Sequence, residues 1–325
     1  MNSFVNNIFE KNPTFFNKKA LEAFQFQKNN VLVYKSWVNN VLKPGRDVSK
    51  ITNIPFLPIS FFKSHKILLE NVNEVKIFES SGTTQTIQSK HYIADLSIYK
   101  KSFENTFKYF YGDVKDYCII GLLPSYLERN NSSLVFMVDE FIKQSNNANS
   151  GFYLNEFEAL ANVLKENELK EIKTLVIAVT FALIDFANKF SFPLKNTLLM
   201  ETGGMKGRGE ELTRKEVHEK IKNSFSVSKV HSEYGMTELL SQAYSLGDGL
   251  FSCPPWMKVL VRSEDDPFHI VEHGKGVLNI IDLANINSCC FIATDDVGIV
   301  YPNGTFEVHG RLDNSDLRGC NLLVM

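Results

Sequence analysis

The sequence predicts an α/β fold that ends in a β-rich lobe. Three observations carry this: compact apolar runs the length of buried strands, helix-period stretches between them, and glycine-punctuated strand patterns after residue 250. Glu74 to Phe78 is a short strand candidate that runs into Ser80-Ser81-Gly82-Thr83-Thr84. Tyr117 to Leu123, stopped by Pro124, and Thr174 to Val179 suit buried strands. Thr197 to Met200 is another, ending in the glycine cluster Gly203, Gly204, Gly207 and Gly209. Lys229 to His231 leads as a strand into Glu233-Tyr234-Gly235-Met236-Thr237-Glu238. In the final lobe, Val277 to Asp282, Cys290 to Thr294 and Thr305 to Val308 are the best strands.

Helices fill the intervals. Leu96, Tyr99, Phe103, Phe107 and Phe110 recur at spacings of three and four, the pattern of one buried helix face. A second helix follows Val179 and runs through Lys189. Thr213 with Glu216 forms a capping box that opens a third, which ends near Phe225. Residues 1–70 form an aromatic-rich, mostly helical leading segment. Within it, the prolines of Ile54-Pro55-Phe56-Leu57-Pro58-Ile59 force an extended or turning chain. The expected division is this segment, 1–70, packed on a main domain of 71–325.

Composition narrows the function. A chain of 325 residues holds one large domain or two packed lobes. A formal charge of -2 gives no basic footprint for nucleic acid or an anionic membrane. The longest apolar stretch, Leu175 to Ile184, contains Thr180 and is too short to span a bilayer. The first residues lack the charged and apolar regions of a signal peptide, so the expected location is the cytoplasm. Cys118, Cys253, Cys289, Cys290 and Cys320 form an odd set without CxxC spacing, which argues against a disulfide framework and a zinc site. Phe is abundant at 26 residues, which points first to core packing.

Three strings have chemical potential. Ser80-Ser81-Gly82-Thr83-Thr84 follows a strand, where backbone N–H and hydroxyl groups around a glycine converge on phosphate oxygens. Taken alone it is also ordinary turn chemistry. Tyr234 to Glu238 offers a ring for stacking on a purine, a threonine hydroxyl for an α-phosphate and a carboxylate for Mg²⁺. Thr294-Asp295-Asp296 and Gly310-Arg311-Leu312-Asp313 offer a carboxylate for ribose hydroxyls and a nearby arginine. A lone aspartate or arginine is more often a turn residue or a surface ion pair.

In this order, the strings resemble the adenylate-forming superfamily of acyl-CoA synthetases, adenylation domains and firefly-type luciferases. The resemblance covers roughly residues 54–325 and is strongest to LuxE-type acyl-protein synthetases, a branch close to phenylacetate-CoA ligases. FLPISFFKSHK (56–66), SSGTT (80–84), ETGGMKGRGEEL (201–212), SEYGMTELLSQAYS (232–245), PPWMKV (254–259) and GRLDNSDLRGCNLL (310–323) carry it. It implies the large N-terminal domain of that superfamily and the use of ATP and Mg²⁺. Ser80, Ser81, Gly82, Thr83 and Thr84 would then cover the β- and γ-phosphates. Gly203 and Gly204 would flank the adenine, and Tyr234 would stack on it. Thr237 would meet the α-phosphate, Glu238 would hold Mg²⁺, Asp296 would bind the ribose, and Arg311 would help to hold the nucleotide.

This sequence departs from the family pattern in places. Gln85 stands where the family has glycine, and the usual Pro-Lys pair is absent, leaving Lys90 as a late substitute. The sequence stops at Met325, just past the hinge string, so no C-terminal lid with its catalytic lysine is expected. Neutralising the α-phosphate then falls to Mg²⁺, the loop hydroxyls and Lys90 or Lys206. The resemblance also implies a fatty or other apolar acid as substrate and a protein as acyl acceptor, through a cysteine near the C-terminus. Cys320, beside Arg318, matches that position, and it is equally well a small residue of a terminal strand. Cys289 and Cys290 are expected in the core. His91 is the histidine best placed for a site role, with a surface position at a helix start as the alternative. Glu79 and Glu201 would each need a metal or a lysine if buried. The rival functions are an acyl-CoA ligase whose lid comes from another chain, and a catalytically silent nucleotide-binding scaffold.

Overall fold

The structure is a computed structural model that describes residues 7–9, 15–42, 45, 47–81, 87–123, 131–154, 156–203 and 212–312. The chain divides into two compact units: a split unit of Met1–Asn73 with Pro255–Met325, and a continuous unit of Glu74–Pro254.

The chain opens in the split unit with α1 (Phe16–Asn30) and α2 (Leu32–Val41), separated at Val31, whose backbone is extended. Short β1 (Leu57–Pro58) and α3 (Phe61–Ser64) follow. The continuous unit begins with β2 (Lys76–Glu79), β3 (Lys90–Ile93), α4 (Leu96–Tyr111) and β4 (Cys118–Leu122). It goes on through α5 (Ser133–Ser145), β5 (Gly151–Phe152), α6 (Phe157–Leu169), β6 (Thr174–Val179) and α7 (Thr180–Lys189). Then come β7 (Thr197–Thr202), α8 (Arg214–Phe225), β8 (His231–Tyr234), β9 (Ala243–Ser245) and β10 (Phe251–Ser252). The chain returns to the split unit as β11 (Met257–Arg262), β12 (Ile270–Val271), β13 (Gly274–Asp282), β14 (Phe291–Val300) and β15 (Phe306–Arg311).

In the continuous unit the strands lie in the order β5-β4-β6-β7-β8-β9-β10. Those from β5 to β8 are parallel, and β9 and β10 are antiparallel additions. Every residue of β4 and β6 is buried, as expected of parallel strands covered on both faces. The helix predicted from the 96–110 periodicity is α4, although its buried side also includes Ser102 and Thr106. Thr106 satisfies its hydroxyl on the Ser102 carbonyl at 2.8 Å, and Ser102 shares a hydrogen bond with Ser241 at 3.0 Å. Phe78, Tyr99, Phe103, Phe107, Phe136 and Phe141 pack ring on ring around it. Each fully buried aromatic side chain contributes about 1.5–3 kcal/mol, so the phenylalanine excess is mainly core.

α7 follows β6 without a gap, as predicted, and pairs with α8, where Phe186 stacks on Phe225 at 5.4 Å. The predicted capping box is present: the Thr213 hydroxyl accepts from the Glu216 backbone, and the Glu216 carboxylate accepts from Thr213 N–H. The strand expected at 229–231 instead spans His231–Tyr234, and its side chains alternate between the two faces of the sheet.

The split unit is an antiparallel sheet in the order β12-β11-β13-β14-β15, with β1 parallel to β14. The proline-rich stretch thus serves as a short strand. Two buried polar residues tie the unit together. Gln27 of α1 donates to the carbonyls of Asn285, Ile286 and Ser288 and accepts from Cys290 N–H at 2.9 Å. Arg262 donates to Asn279 Oδ1 at 2.7 Å and to the Leu278 and Thr294 carbonyls. Cys289 and Cys290 are fully buried, as expected of core residues, and burial pushes the Cys289 thiol up to about 12. Among the described residues, no helix is long and apolar enough to cross a membrane.

Candidate active site

In a parallel sheet, chemistry collects beyond the carboxyl ends of the strands. In the continuous unit those ends carry Thr180 after β6, Glu201 and Thr202 on β7, and Glu233 and Tyr234 on β8. Gly203, just past β7, has φ 77°, a left-handed conformation that glycine adopts without strain.

β2 and β3 form an antiparallel ribbon that carries the candidate phosphate loop. Ser80 closes its base, donating N–H to the Ser89 carbonyl and accepting Ser89 N–H on its hydroxyl, both at 3.0 Å. Ser81 is exposed; Gly82, Thr83 and Thr84 lie outside the described residues, as does Gln85. Lys90 faces Glu79 across the ribbon at 3.5 Å, and Asn131 donates to the same carboxylate at 3.1 Å. Glu79 is only half-buried, and Lys90 is its partner.

His91 is not a surface residue at a helix start. It lies within β3, fully buried, and the following helix is capped instead by Asp95, which accepts from Ser97 N–H at 2.8 Å. Its Nδ1 is 2.8 Å from the Thr237 carbonyl oxygen. A carbonyl only accepts, so Nδ1 carries the proton. This bond joins the ribbon of the candidate phosphate loop to the 234–238 turn.

In that turn Glu238 is buried, while Thr237 and Tyr234 are half-buried. The Tyr234 ring packs edge-on against Phe251 at 5.9 Å. Among the described residues, no group of three or more His, Cys, Asp or Glu could hold a metal. Mg²⁺ on a nucleoside triphosphate needs only one or two protein carboxylates, because phosphate and water complete its shell. The single Glu238 fits that donor set.

Two further carboxylates lie at the same strand ends. Glu201 is buried and receives the Thr180 hydroxyl at 2.7 Å, with Arg214 Nε and His218 Nε2 each at 3.7 Å. Burial raises its pKa, but hydrogen bonds from His218, Ser232 and Thr180 and the Arg214 charge outweigh this and leave it below the ordinary value. An arginine and a histidine thus take the place of the expected metal or lysine. Glu233 is buried and accepts from the Thr202 hydroxyl. Burial pushes its pKa up to about 7 against the Thr202 hydrogen bond, and the nearby Glu201 adds to the rise. Glu233, Arg214, His218 and Thr180 were missed in the sequence. Only the β7–β8 register, which sets Thr202 beside Glu233, shows the Glu233 contact.

In the split unit, β14 and β15 place Asp296 opposite Arg311, whose Nε donates to Asp296 Oδ1 at 2.9 Å. Asp296 is buried, and Arg311 is mostly exposed. The structure therefore pairs these two predicted residues. Gly204, Lys206, Asp313 and Cys320 lie outside the described residues.

The fold is that of the adenylate-forming ligases. A 2-hydroxyisobutyryl-CoA ligase in the postadenylation state, in complex with R3-HIB-AMP, superposes with a TM-score of 0.60 at 12% identity, over 92% of this chain and 68% of the ligase. A luciferase-like enzyme from the mealworm Zophobas morio gives 0.52 at 16% identity, over 74% of this chain and 58% of that one. At such identities the likeness concerns the fold alone. The profile of the acyl-protein synthetase family LuxE matches residues 5–325, and the chain belongs to that family, whose members are ligases. Two long-chain-fatty-acid–luciferin-component ligases are similar to it. The one from Vibrio harveyi is 25% identical, over 92% of this chain and 84% of the relative. The one from Aliivibrio fischeri is 23% identical, over 97% and 89%.

Proposed function

We propose that this enzyme activates a fatty or other apolar carboxylic acid with ATP and Mg²⁺ as an acyl-adenylate and passes the acyl group to a protein cysteine. The observation that carries the reading is the His91–Thr237 bond, which fastens the strand after the Ser80–Ser81 turn to the turn bearing Thr237 and Glu238. The bond supports the reading because it joins the two-stranded ribbon that carries Ser80 and Ser81 to a turn 146 residues on. The names of the Vibrio and Aliivibrio relatives support a long-chain fatty acid as substrate and a luciferin component as partner.

A carboxylate oxygen attacks the α-phosphorus, the bond to the β-phosphate bridge breaks, and pyrophosphate leaves. Bound Mg²⁺ would neutralise phosphate charge, with Glu238 as its protein ligand. The Thr237 hydroxyl donates to an α-phosphate oxygen, and Ser80, Ser81, Gly82, Thr83 and Thr84 supply N–H and O–H groups to the leaving pyrophosphate. Gly203 and Gly204 border the adenine on which Tyr234 stacks; Asp296 accepts from the ribose hydroxyls and Arg311 steadies the nucleotide. Lys90, paired with Glu79 across the ribbon, stands in for the absent Pro-Lys pair. In the second step a thiolate sulfur, that of Cys320, attacks the acyl carbonyl and AMP leaves.

ATP–pyrophosphate exchange that depends on added fatty acid tests the first step. Glu238→Gln should abolish exchange without unfolding the protein. Cys320→Ser should leave exchange intact and remove thioester labelling; labelling that persists excludes Cys320. A folded protein that shows no exchange with any of a broad acid panel would disprove the activity.

A further inference from the structure

We infer that Glu233 is a positioning residue, which fixes the end of β7 before Gly203 and the 234–238 turn in one geometry for the nucleotide. This role deepens the proposed adenylation and rests on it.

Thr202 and Glu233 are register partners across the parallel strands β7 and β8, so their side chains share one face of the sheet. The Thr202 hydroxyl donates to Glu233 Oε2, and both residues are buried. The other carboxylate oxygen packs against Gly235: a Cβ added there would stand 2.2 Å from Glu233 Oε1. No φ in the left-handed region calls for glycine at 235, and a methyl group there would have to displace the Glu233 carboxyl.

Each oxygen of one carboxyl group therefore touches a different segment. One meets the last residue of β7, immediately before Gly203. The other meets the residue immediately after Tyr234. Farther along the 234–238 turn, His91 holds the Thr237 carbonyl. The turn is thus gripped at its start by Glu233 and near its end by His91, with the Tyr234 ring only half-buried at its start. Burying a carboxyl group costs free energy that an apolar side chain on the same strand would not incur. Here that cost secures the separation between the two segments assigned to the adenine.

The test measures MgATP and fatty acid dependence separately in ATP–pyrophosphate exchange, with AMP affinity by equilibrium dialysis. Glu233→Ala should raise the KM for MgATP and the Kd for AMP about tenfold or more, while the KM for the fatty acid stays within about threefold. Glu233→Gln, which still accepts from Thr202, should restore values near those of the unmodified protein. Thr202→Val should shift MgATP dependence in the same direction but less. Gly235→Ala should weaken nucleotide binding alone and add nothing to Glu233→Ala, because the obstructing carboxyl is already gone.

Unmodified protein that exchanges, with Glu233→Ala and Thr202→Val unchanged in nucleotide dependence, overturns the positioning role. So does an equal change in both KM values with a lowered Tm, since that marks general loosening. Should Glu233→Ala fail to fold, Thr202→Val and Gly235→Ala decide alone. Unmodified protein that neither exchanges nor binds AMP defeats the adenylation itself, and this role with it.

Discussion

Glu201 and Glu233 sit one register step apart on neighbouring strands, at the same end of the same sheet, and their chemistry is opposite. Glu201 shares its side with Ser232 and meets α7 and α8, which supply Thr180, Arg214 and His218. Glu233 shares its side with Thr202, and the groups near it are the tyrosines 99, 111 and 244. Burial is nearly complete for both. The partners decide the charge: cationic and hydroxyl donors hold Glu201 ionised, whereas a single hydroxyl leaves Glu233 with its pKa raised to about 7.

The largest expected effect lies on the Glu201 face. Glu201→Leu leaves Arg214, His218 and the Thr180 hydroxyl without their common acceptor and should cost about 3 kcal/mol in urea unfolding. A loss below about 1 kcal/mol would mean that Arg214 finds water instead. Thr180→Val removes one hydrogen bond to an ionised carboxylate and should cost about 1.5–3 kcal/mol. Glu233→Gln gives the smallest change and the sharpest contrast, because its sign depends on pH.

The folded state holds the Glu233 proton up to about pH 7, whereas the unfolded chain releases it near the ordinary value of 4.5. Its contribution is therefore complete below about pH 4.5 and is lost as pH rises through about 7. Glutamine does not titrate, so Glu233→Gln should gain on the unmodified protein by roughly 1–3 kcal/mol between acid and neutral pH. His231, lowered to about 4 by burial and by Lys229, slopes the other way between about 4 and 6.5. That slope is common to both proteins and cancels in the difference. A constant difference across pH would show that Glu233 is already ionised in the fold. For Glu201 the sign reverses: its stabilisation is present above the unfolded pKa and is lost as pH falls.

Much of the local structure was legible in the sequence. The Thr213–Glu216 capping box, the 96–110 periodicity and the apolar runs of β4 and β6 are short-range patterns, and each element stands within a few residues of its expected place. What failed to show was long-range. Nothing near Gln27 indicates that its amide will satisfy the turn at 285–290, some 260 positions away. His91 follows Ser89-Lys90, a polar context typical of a surface, yet it is buried, with its ring against the Thr237 carbonyl 146 residues on. The candidate nucleotide strings could be recognised because each is contiguous. The contacts between segments are not contiguous: Thr202 meets Glu233 on the next strand, and His91 meets Thr237 in a turn 146 residues on.

Following the carboxylate oxygen of the acid substrate tests the central claim most directly. With a fatty acid labelled with heavy oxygen, adenylation transfers one labelled oxygen to the phosphate of AMP once the acyl group has moved to its acceptor. AMP carrying the label, with unlabelled pyrophosphate, is the predicted result. Label in inorganic phosphate, with ADP as the nucleotide product, would mean attack at the γ-phosphorus and would contradict adenylation.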